Sequence, residues 1–181
     1  LKNDESEYVR KSVANHINDH SKNHEEWIIK KLKTWKKEGN KNTVWIINHG
    51  LRTLIKKGNH QALKIIGINP SSTNIHFVSL SPKNLRLGQN MEIHFSLSNT
   101  TNKKQTVIVD QKVSLLRINN KYTHKVFKGT KLILAPNESL QCKLNLKLKA
   151  VTTRKYYSGK QYLSLLVNGQ ESISKNFILT V

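Results

Sequence analysis

The sequence predicts a two-part fold, with α-helices over residues 1–70 and a β-sandwich over residues 71–181. Apolar residues recur at helical spacing in the first part, whereas from about residue 75 they occupy every second position, as on one face of a strand. This change of period marks the boundary between the two parts. A chain of 181 residues is long enough to give each part its own core.

The first part is predicted to contain four helices, over residues 7–21, 24–38 and 43–57 and over a short segment from Asn59 to Gly67. Apolar side chains spaced by three or four residues, such as Val13 and Ile17, place one face of each helix in the core. Gly39 suits the end of the second helix, where a left-handed backbone is favoured. Asn59 is a suitable N-cap for the fourth.

The helices form two similar pairs. A shift of 34 residues aligns Val13 with Ile47 and Ile17 with Leu51. Helix pairs repeated at such an interval are typical of α-solenoids, and the first part is therefore predicted to be a HEAT-like solenoid segment. Because arrays of this kind usually need three or more repeats to bury enough surface, we expect further repeats before Leu1 or another surface that covers this end.

Alternating apolar residues predict about seven or eight short strands in the second part. The alternation is regular over residues 91–97 and again over residues 140–148. Asn168-Gly169 follows another apolar run and predicts a type I′ hairpin, with residues 177–181 as its returning strand. These features are typical of an immunoglobulin-like β-sandwich, although the Cys-Trp-Cys set of antibody domains is absent.

The chain is strongly basic. It has 31 Lys and Arg against 11 Asp and Glu, a net charge of +20, of which +7 falls in residues 1–70 and +13 in residues 71–181. Such an excess usually serves a polyanionic partner: DNA, RNA or an anionic membrane. No apolar run approaches the roughly 18 residues of a membrane span, so a nucleic acid is favoured and no membrane is expected. The single cysteine, Cys142, allows no internal disulfide, which predicts the cytoplasm.

Two polar stripes are predicted on the faces of the first and third helices that point away from the core. The stripe on the third helix contains Trp45, His49, Arg52 and Lys56. The stripe on the first contains Lys11, Asn15, Asn18 or Asp19, and Lys22. Side by side in a solenoid, they would form a basic surface with an aromatic contact, suited to a phosphate backbone. The alternative, equally open from the residues alone, is that Trp45 packs against a neighbouring helix and the cations are solvated.

Asp19 is the only acid in the two stripes. Neighbouring cations favour the ionised form of a carboxylate, which could stabilise a developing positive charge or orient a water molecule. Local sequence alone favours the simpler interpretation, in which Asp19 pairs with Lys22 or Arg10.

Three histidines, His16, His20 and His24, are spaced by four residues, which is compatible with zinc. The Glu of the HExxH pattern is missing, and His24 lies across a predicted turn. Packing or surface roles are therefore preferred, and no metal is predicted.

Cations also recur in the second part. Lys143, Lys147 and Lys149 share one face of a predicted strand, and Arg154-Lys155 begins a loop. A solubilising surface is the simpler interpretation of these residues. The excess of +13 in this part makes at least one of these patches a candidate phosphate contact.

Several motifs resemble the AlkC branch of the DNA alkylation-repair glycosylases. In the helical part they are YVRKSVANHINDHSK at residues 8–22 and WIINHGLRTLIKKG at residues 45–58. In the sandwich they are KVFK at 125–128, TTRKYYSG at 152–159 and VNG at 167–169. The motifs occur in the family's order, and the resemblance extends over nearly the whole chain.

This resemblance implies a HEAT-like solenoid whose concave face holds double-stranded DNA with alkylated bases, while the sandwich completes the grip. It implies hydrolysis of the N-glycosidic bond of cationic bases such as 3-methyladenine, in base excision repair, by a monofunctional enzyme that neither flips the base nor needs a cofactor. Asp19 is then the candidate catalytic carboxylate, and we expect a monomer. Family enzymes carry more repeats before this region, so activity is expected of the full-length protein, and this chain alone could bind DNA without cleaving it. The alternatives are a non-enzymatic nucleic-acid-binding module and a protein-interaction scaffold.

Overall fold

Helices make up the first part of the chain and strands the second, as predicted. The computed structural model describes residues 1–69, 73–152 and 154–181, with only the backbone of residues 77 and 78. The chain divides into two compact units, a helical unit of residues 1–70 and a sandwich unit of residues 71–181. The predicted boundary itself, at residues 70 and 71, and Thr153 of the TTRKYYSG motif lie outside the described residues.

The described helices are α1 (Glu7–His20), α2 (Glu25–Lys37), α3 (Lys41–Gly50), α4 (Arg52–Lys56) and α5 (His60–Ile65). Their ends follow the predicted capping chemistry. Gly39 has a left-handed backbone with φ of 71°, and the Asn59 side chain caps α5 by accepting a hydrogen bond from the Ala62 amide at 2.9 Å. The Asn40 side chain caps α3 in the same way, accepting from the Asn42 amide at 2.8 Å.

The predicted third helix is in fact divided into α3 and α4 at Leu51. In a continuous helix the Thr53 amide would donate to the carbonyl of His49, four residues earlier. Here the Thr53 amide donates to Asn18 Oδ1 of α1 at 3.2 Å, and the His49 carbonyl accepts from Arg52 Nη1 at 2.8 Å. Side chains inserted into the backbone ladder are a known cause of helix breaks.

The core of the helical unit lies where α1, α2 and α3 meet. Its fully buried apolar side chains include Ala14, Leu32, Ile46 and Leu51. Val13, predicted to point into the core, is only partly buried at its edge. The predicted repeats and the HEAT-like solenoid remain a prediction.

The described strands are β1 (Thr73–Ser81), β2 (Asn84–Arg86), β3 (Asn90–Asn99), β4 (Gln105–Leu116), β5 (Tyr122–Leu134), β6 (Ser139–Lys147), β7 (Gly159–Val167), β8 (Gln170–Glu171) and β9 (Lys175–Thr180). One sheet has the order β1-β3-β6 and the other β2-β9-β7-β4-β5, with β8 paired to β7. The described pairs are antiparallel except β2 and β9, which run parallel.

The predicted alternation sets the register of the smaller sheet. Met91 lies opposite Leu146 and Phe95 opposite Cys142 in the β3–β6 pair. Met91 and Phe95 are completely buried, while the intervening residues of β3 are more exposed. Because side chains alternate between the faces of a strand, this pairing puts one apolar face of the sheet into the core.

The predicted hairpin turn is confirmed, but its returning strand is interrupted. Asn168 and Gly169 both have positive φ, 48° and 80°, as a type I′ turn requires. The return is β8, only two residues long, and the predicted strand at 177–181 corresponds to β9, which begins at Lys175. Between them, Ser172 Oγ accepts a hydrogen bond from the Leu165 amide at 2.9 Å. The Ser172 hydroxyl thus accepts a hydrogen bond from a β7 amide at the point where the β7–β8 pairing ends.

Within the described ranges, every helix is too short or too polar to cross a membrane.

Candidate nucleic-acid interface

The two predicted stripes are joined by a contact between Arg52 and Asn15. Arg52 Nη2 donates to Asn15 Oδ1 at 3.0 Å, across 37 residues of sequence, and Nη1 of the same guanidinium donates to the His49 carbonyl at 2.8 Å. The guanidinium is therefore held from both helices. An arginine carries five N–H donors, so two bonds to the protein leave donors for an anion.

Trp45 lies between the helical core and the stripe. Its ring is partly buried against the core, so the packing interpretation holds in part. The ring also stacks on His49, with centroids 5.0 Å apart and planes 8° from parallel, and the Arg10 guanidinium lies 5.7 Å from the ring centroid. Arg10 is absent from the predicted site, because a cation–π contact between two helices leaves no local sequence pattern.

His49 is held in its neutral form. Partial burial lowers its pKa, and the positive charges of Arg52 and Lys11 lower it further. The three residues come from both stripes, which agrees with the stripes lying next to each other. A neutral imidazole beside two cations can accept or donate one hydrogen bond without adding charge to the surface.

Asp19 is paired with Lys22, one of the two simple partners expected from the sequence. Lys22 Nζ lies 2.7 Å from Asp19 Oδ1, and the side chains are 52% and 67% exposed. The hydrogen bond and the charge of Lys22 lower the pKa of Asp19, so the carboxylate is ionised at neutral pH. An exposed pair of this kind contributes little to stability. Both groups can therefore exchange partners when an anion or a cation approaches.

Lys11 and Lys56 are the remaining cations of the stripes. Lys11 Nζ pairs with Glu7 Oε1 at 2.8 Å on the same helix. Lys56, in α4, is exposed. Like Asp19–Lys22, the Lys11–Glu7 pair is a solvent-exposed contact within one helix that a phosphate can replace at little cost.

Asn18 does not belong to the exposed surface on which the sequence placed it. Its side chain is only 4% exposed and accepts the Thr53 amide at the helix break. On α1 it lies beside Ala14 and Ile17, which face the core, whereas Asn15 and Asp19 are exposed. The prediction of a DNA contact for Asn18 is therefore corrected: its side chain accepts a backbone amide inside the protein and also hydrogen-bonds the Asp19 carboxylate.

His16 and His20 lie on another side of α1, and His24 directly precedes α2. The rings of His16 and His20 have centroids 4.3 Å apart, and those of His20 and His24 are 6.0 Å apart. They line a groove of about 540 Å³ between α1 and α2, together with Trp27 and Trp35. In the part of the chain that the structure describes, no three His, Cys, Asp or Glu side chains are arranged to hold a metal ion.

Arg154 and Lys155 of the sandwich unit are each organised by a tyrosine. Arg154 lies 5.7 Å from the centroid of the Tyr156 ring and donates to its hydroxyl at 3.0 Å. Lys155 Nζ lies 5.7 Å from the centroid of the Tyr157 ring. Arg117, which the sequence reasoning missed, donates to the Lys155 carbonyl at 3.2 Å and so connects this loop to the end of β4. One signal was available: no acid occurs between residues 139 and 170.

Lys143, in contrast, has an acidic partner on the neighbouring strand. Its Nζ lies 2.5 Å from Glu92 Oε1 on the neighbouring strand. Glu92 also contacts the His94 ring at 3.3 Å, and hydrogen bonds from Lys143 and His94 lower the pKa of its carboxyl. Lys143 thus has a carboxylate partner, whereas Arg154 and Lys155 lie against tyrosine rings.

These features define a class of basic proteins in which a helical unit is followed by an immunoglobulin-like β-domain. The family model described as "Uncharacterised protein YhaZ, C-terminal Ig-like domain" matches residues 74–181, and the chain belongs to this family. A curated relative, "Uncharacterized protein YhaZ" of Bacillus subtilis (strain 168), is 36% identical over 178 residues, which are 98% of this chain and 49% of the relative.

Among solved structures, the chain is similar to the alkylpurine DNA glycosylase AlkC of Pseudomonas fluorescens, bound to DNA containing an abasic site analog. The TM-score is 0.91 and the identity 36%, over 100% of this chain and 50% of that one. This confirms the resemblance to AlkC. A Listeria innocua beta-glucosidase, at a TM-score of 0.50 and 11% identity over 59% of this chain and 16% of that one, shares the fold alone. The chain spans about half the length of the first two relatives.

Proposed function

We propose that this chain is part of a DNA glycosylase of base excision repair that hydrolyses the N-glycosidic bond of cationic alkylated bases of the 3-methyladenine type. The observation that carries the proposal is the similarity to AlkC over the whole chain. That structure contains DNA with an abasic site analog, and an abasic site is what base release leaves behind. The net charge of +20 supports the same partner.

The chemistry asks little of the protein beyond electrostatics. A cationic base is already a good leaving group, so it departs without being protonated, and positive charge develops on the sugar in an oxocarbenium-like transition state. An ionised carboxylate near the sugar stabilises that charge and can position water. In this proposal Asp19 supplies the carboxylate, and Lys22 leaves it to contact a phosphate. The reaction needs no cofactor, because neither redox nor group-transfer chemistry is involved.

We further propose that the duplex is held along the exposed stripes. The residues in contact with DNA would be Lys11, Asn15, Lys22, Trp45, His49, Arg52 and Lys56 of the helical unit and Arg154 and Lys155 of the sandwich unit. Because the stripes of the helical unit lie at its surface and not in an enclosed cavity, we propose that the lesion is cleaved without being flipped into a pocket, unlike the substrates of most glycosylases. A cytoplasmic monomer is the simplest form of such an enzyme.

The decisive test is base release from methylated duplex DNA by the full-length protein carrying Asp19→Asn. The amide keeps the size of the side chain and loses its charge, so the rate is expected to fall by about 100-fold or more, as when a transition-state stabiliser is removed. Glu7→Gln is the matched control, because Glu7 is also an exposed α1 carboxylate paired with a lysine of its own helix. The Glu7 variant should keep its activity. Full activity of the Asp19 variant would remove Asp19 from the mechanism.

A second candidate is a nucleic-acid-binding module without catalysis. It is favoured by the engagement of Asp19 with Lys22. Equal affinity for methylated and undamaged duplexes, with no base release by the full-length protein, would support it. Binding that does not weaken with added salt would instead favour a protein-interaction scaffold, since phosphate contacts release counterions.

A further inference from the structure

Asn18 occupies an unusual place for an amide side chain. It is 4% exposed, and a polar group buried to this extent is costly unless it is hydrogen-bonded. Its Oδ1 accepts from the Thr53 amide at 3.2 Å, across 35 residues of sequence. The bond joins the interior side of α1 to the first turn of α4.

Because of this bond, the Thr53 amide does not donate to the His49 carbonyl as it would in a regular helix. The regular acceptor for the Thr53 amide would be the His49 carbonyl. Asn18 accepts that amide instead, and Arg52 Nη1 donates to the His49 carbonyl at 2.8 Å. The other end of the guanidinium donates to Asn15 Oδ1 at 3.0 Å. Arg52 is thus fixed at the helix break by one carbonyl and one side-chain amide.

Close packing holds the break in place. Gly50, next to it, lies so close to α1 that an added Cβ would come within 2.8 Å of Ile17 Cγ2. Asn18 follows Ile17 in α1, so its amide is brought to the α4 terminus by the same contact. The helix break thus depends on three parts together: the backbone of α1, the backbone at the start of α4, and the Asn18 side chain.

We infer that Asn18 is a positioning residue, which acts through the helix break to aim the Arg52 guanidinium at a phosphodiester oxygen of bound DNA. Asn18 does not touch the DNA. It acts by accepting the Thr53 amide, so that Arg52 is already ordered on the carbonyl of His49 before DNA arrives. The inference rests on the proposed function, since it names a determinant of the same DNA-binding surface.

The test compares Asn18→Ala, Asn18→Leu and Asn18→Asp in the intact protein, with a short DNA duplex as the probe. Alanine and leucine remove the acceptor, and binding should weaken by about tenfold, as for the loss of one charge-assisted hydrogen bond. The slope of log affinity against log salt should fall by about one phosphate contact. Aspartate keeps the acceptor but adds a negative charge beside Asp19, so it should restore the protection of the Thr53 amide without restoring the affinity for DNA. Should the leucine variant fail to fold, the smaller alanine gives the same test.

Double-mutant cycles separate positioning from general destabilisation. Arg52→Gln and Asn18→Ala should not add, because both remove the same contact. Lys56→Gln is the matched control, because Lys56 lies in the same stripe but takes no part in the hydrogen bonds at the helix break. Its effect on DNA affinity should therefore add to that of Asn18→Ala. Additive effects of Asn18→Ala and Arg52→Gln, or unchanged affinity of Asn18→Ala, would overturn the inference.

A measurement without DNA keeps this inference distinct from the proposed function. Hydrogen exchange at the Thr53 amide should be faster in Asn18→Ala, and NMR relaxation of the Arg52 Nε group should show a more mobile side chain. If the wild-type protein binds no DNA, the proposed function fails, while these signals still report on Asn18. An equally ordered Arg52 in the Asn18→Ala variant would refute the positioning role.

Discussion

The helical unit and the sandwich unit hold their candidate DNA-binding cations in different ways. Arg52 contacts Asn15 across 37 residues of sequence, so its position depends on the packing of α1 against α3. Arg154 and Lys155 each lie over the tyrosine two residues later, so most of their arrangement is local. The first surface depends on contacts between helices, whereas the second depends mainly on neighbouring residues of one loop, with Tyr156 packed into the sandwich core.

This difference has a consequence for how each surface fails. Loss of packing in the helical unit should release Arg52 and the stack of Trp45 on His49 together. In the sandwich unit, the Arg117 bond to the Lys155 carbonyl is one of the long-range contacts that fix the loop. Variants in either core can therefore test whether the two surfaces are independent.

The largest effect is expected from Phe95→Ala, which changes the core of the sandwich unit and not that of the helical unit. Phe95 is completely buried, and truncating such a side chain costs about 3–5 kcal/mol of unfolding free energy. The loss should be seen by circular dichroism of the strands during denaturation. All three tryptophans, Trp27, Trp35 and Trp45, lie in residues 1–70, so tryptophan fluorescence follows the helical unit and should keep its midpoint. Ile133→Ala, at a position that is 59% exposed, is the control. A common shift of both signals would show that the cores unfold as one.

The sandwich was the more predictable half, because its determinants are local. Alternation over residues 91–97 defines the buried face of β3, and the register with β6 follows once both strands have one apolar side. Asn168-Gly169 fixes the turn, because both residues adopt positive φ readily. The split between β8 and β9 escaped prediction, because Ser172 Oγ accepts the Leu165 amide from a different strand.

The helix break and the candidate surface could be predicted only in part. Helical spacing correctly grouped Arg52 with Trp45 and His49, but within residues 43–57 only Gly50 gives a local hint of the break at Leu51. Its cause is Asn18, which is 35 residues away from Thr53 in the sequence. The burial of Asn18 and the approach of Arg10 to Trp45 arise in the same way, from contacts between helices that no local pattern records.

A smaller effect is expected from neutralising the sandwich loop with Arg154→Gln and Lys155→Gln together. If both cations contact phosphate, the slope of log affinity against log salt should fall by about two contacts, with little loss of stability. The stripes of the helical unit should keep their own phosphate contacts, because Arg154 and Lys155 are arranged mainly by neighbouring residues of their loop. Lys143→Gln is the matched control on the same unit, because Lys143 is paired with Glu92. An unchanged slope in the double variant would remove the loop from the interface.

The smallest effect concerns His49, whose titration reports whether the two stripes are in contact. Burial, Arg52 and Lys11 hold its pKa below the ordinary value of 6.5. Between that lowered pKa and 6.5, the unfolded chain binds more protons than the folded one, so the contribution of His49 to stability is fully present above 6.5 and is lost as the pH falls through this window. An NMR titration of the His49 ring should show the lowered pKa, and Arg52→Gln should raise it. Bound DNA should also raise it, because phosphate favours the imidazolium form. A pKa at or above 6.5 in the free protein would mean that Arg52 and Lys11 do not act on His49 together, and the helical surface would then be no more tightly organised than the sandwich loop.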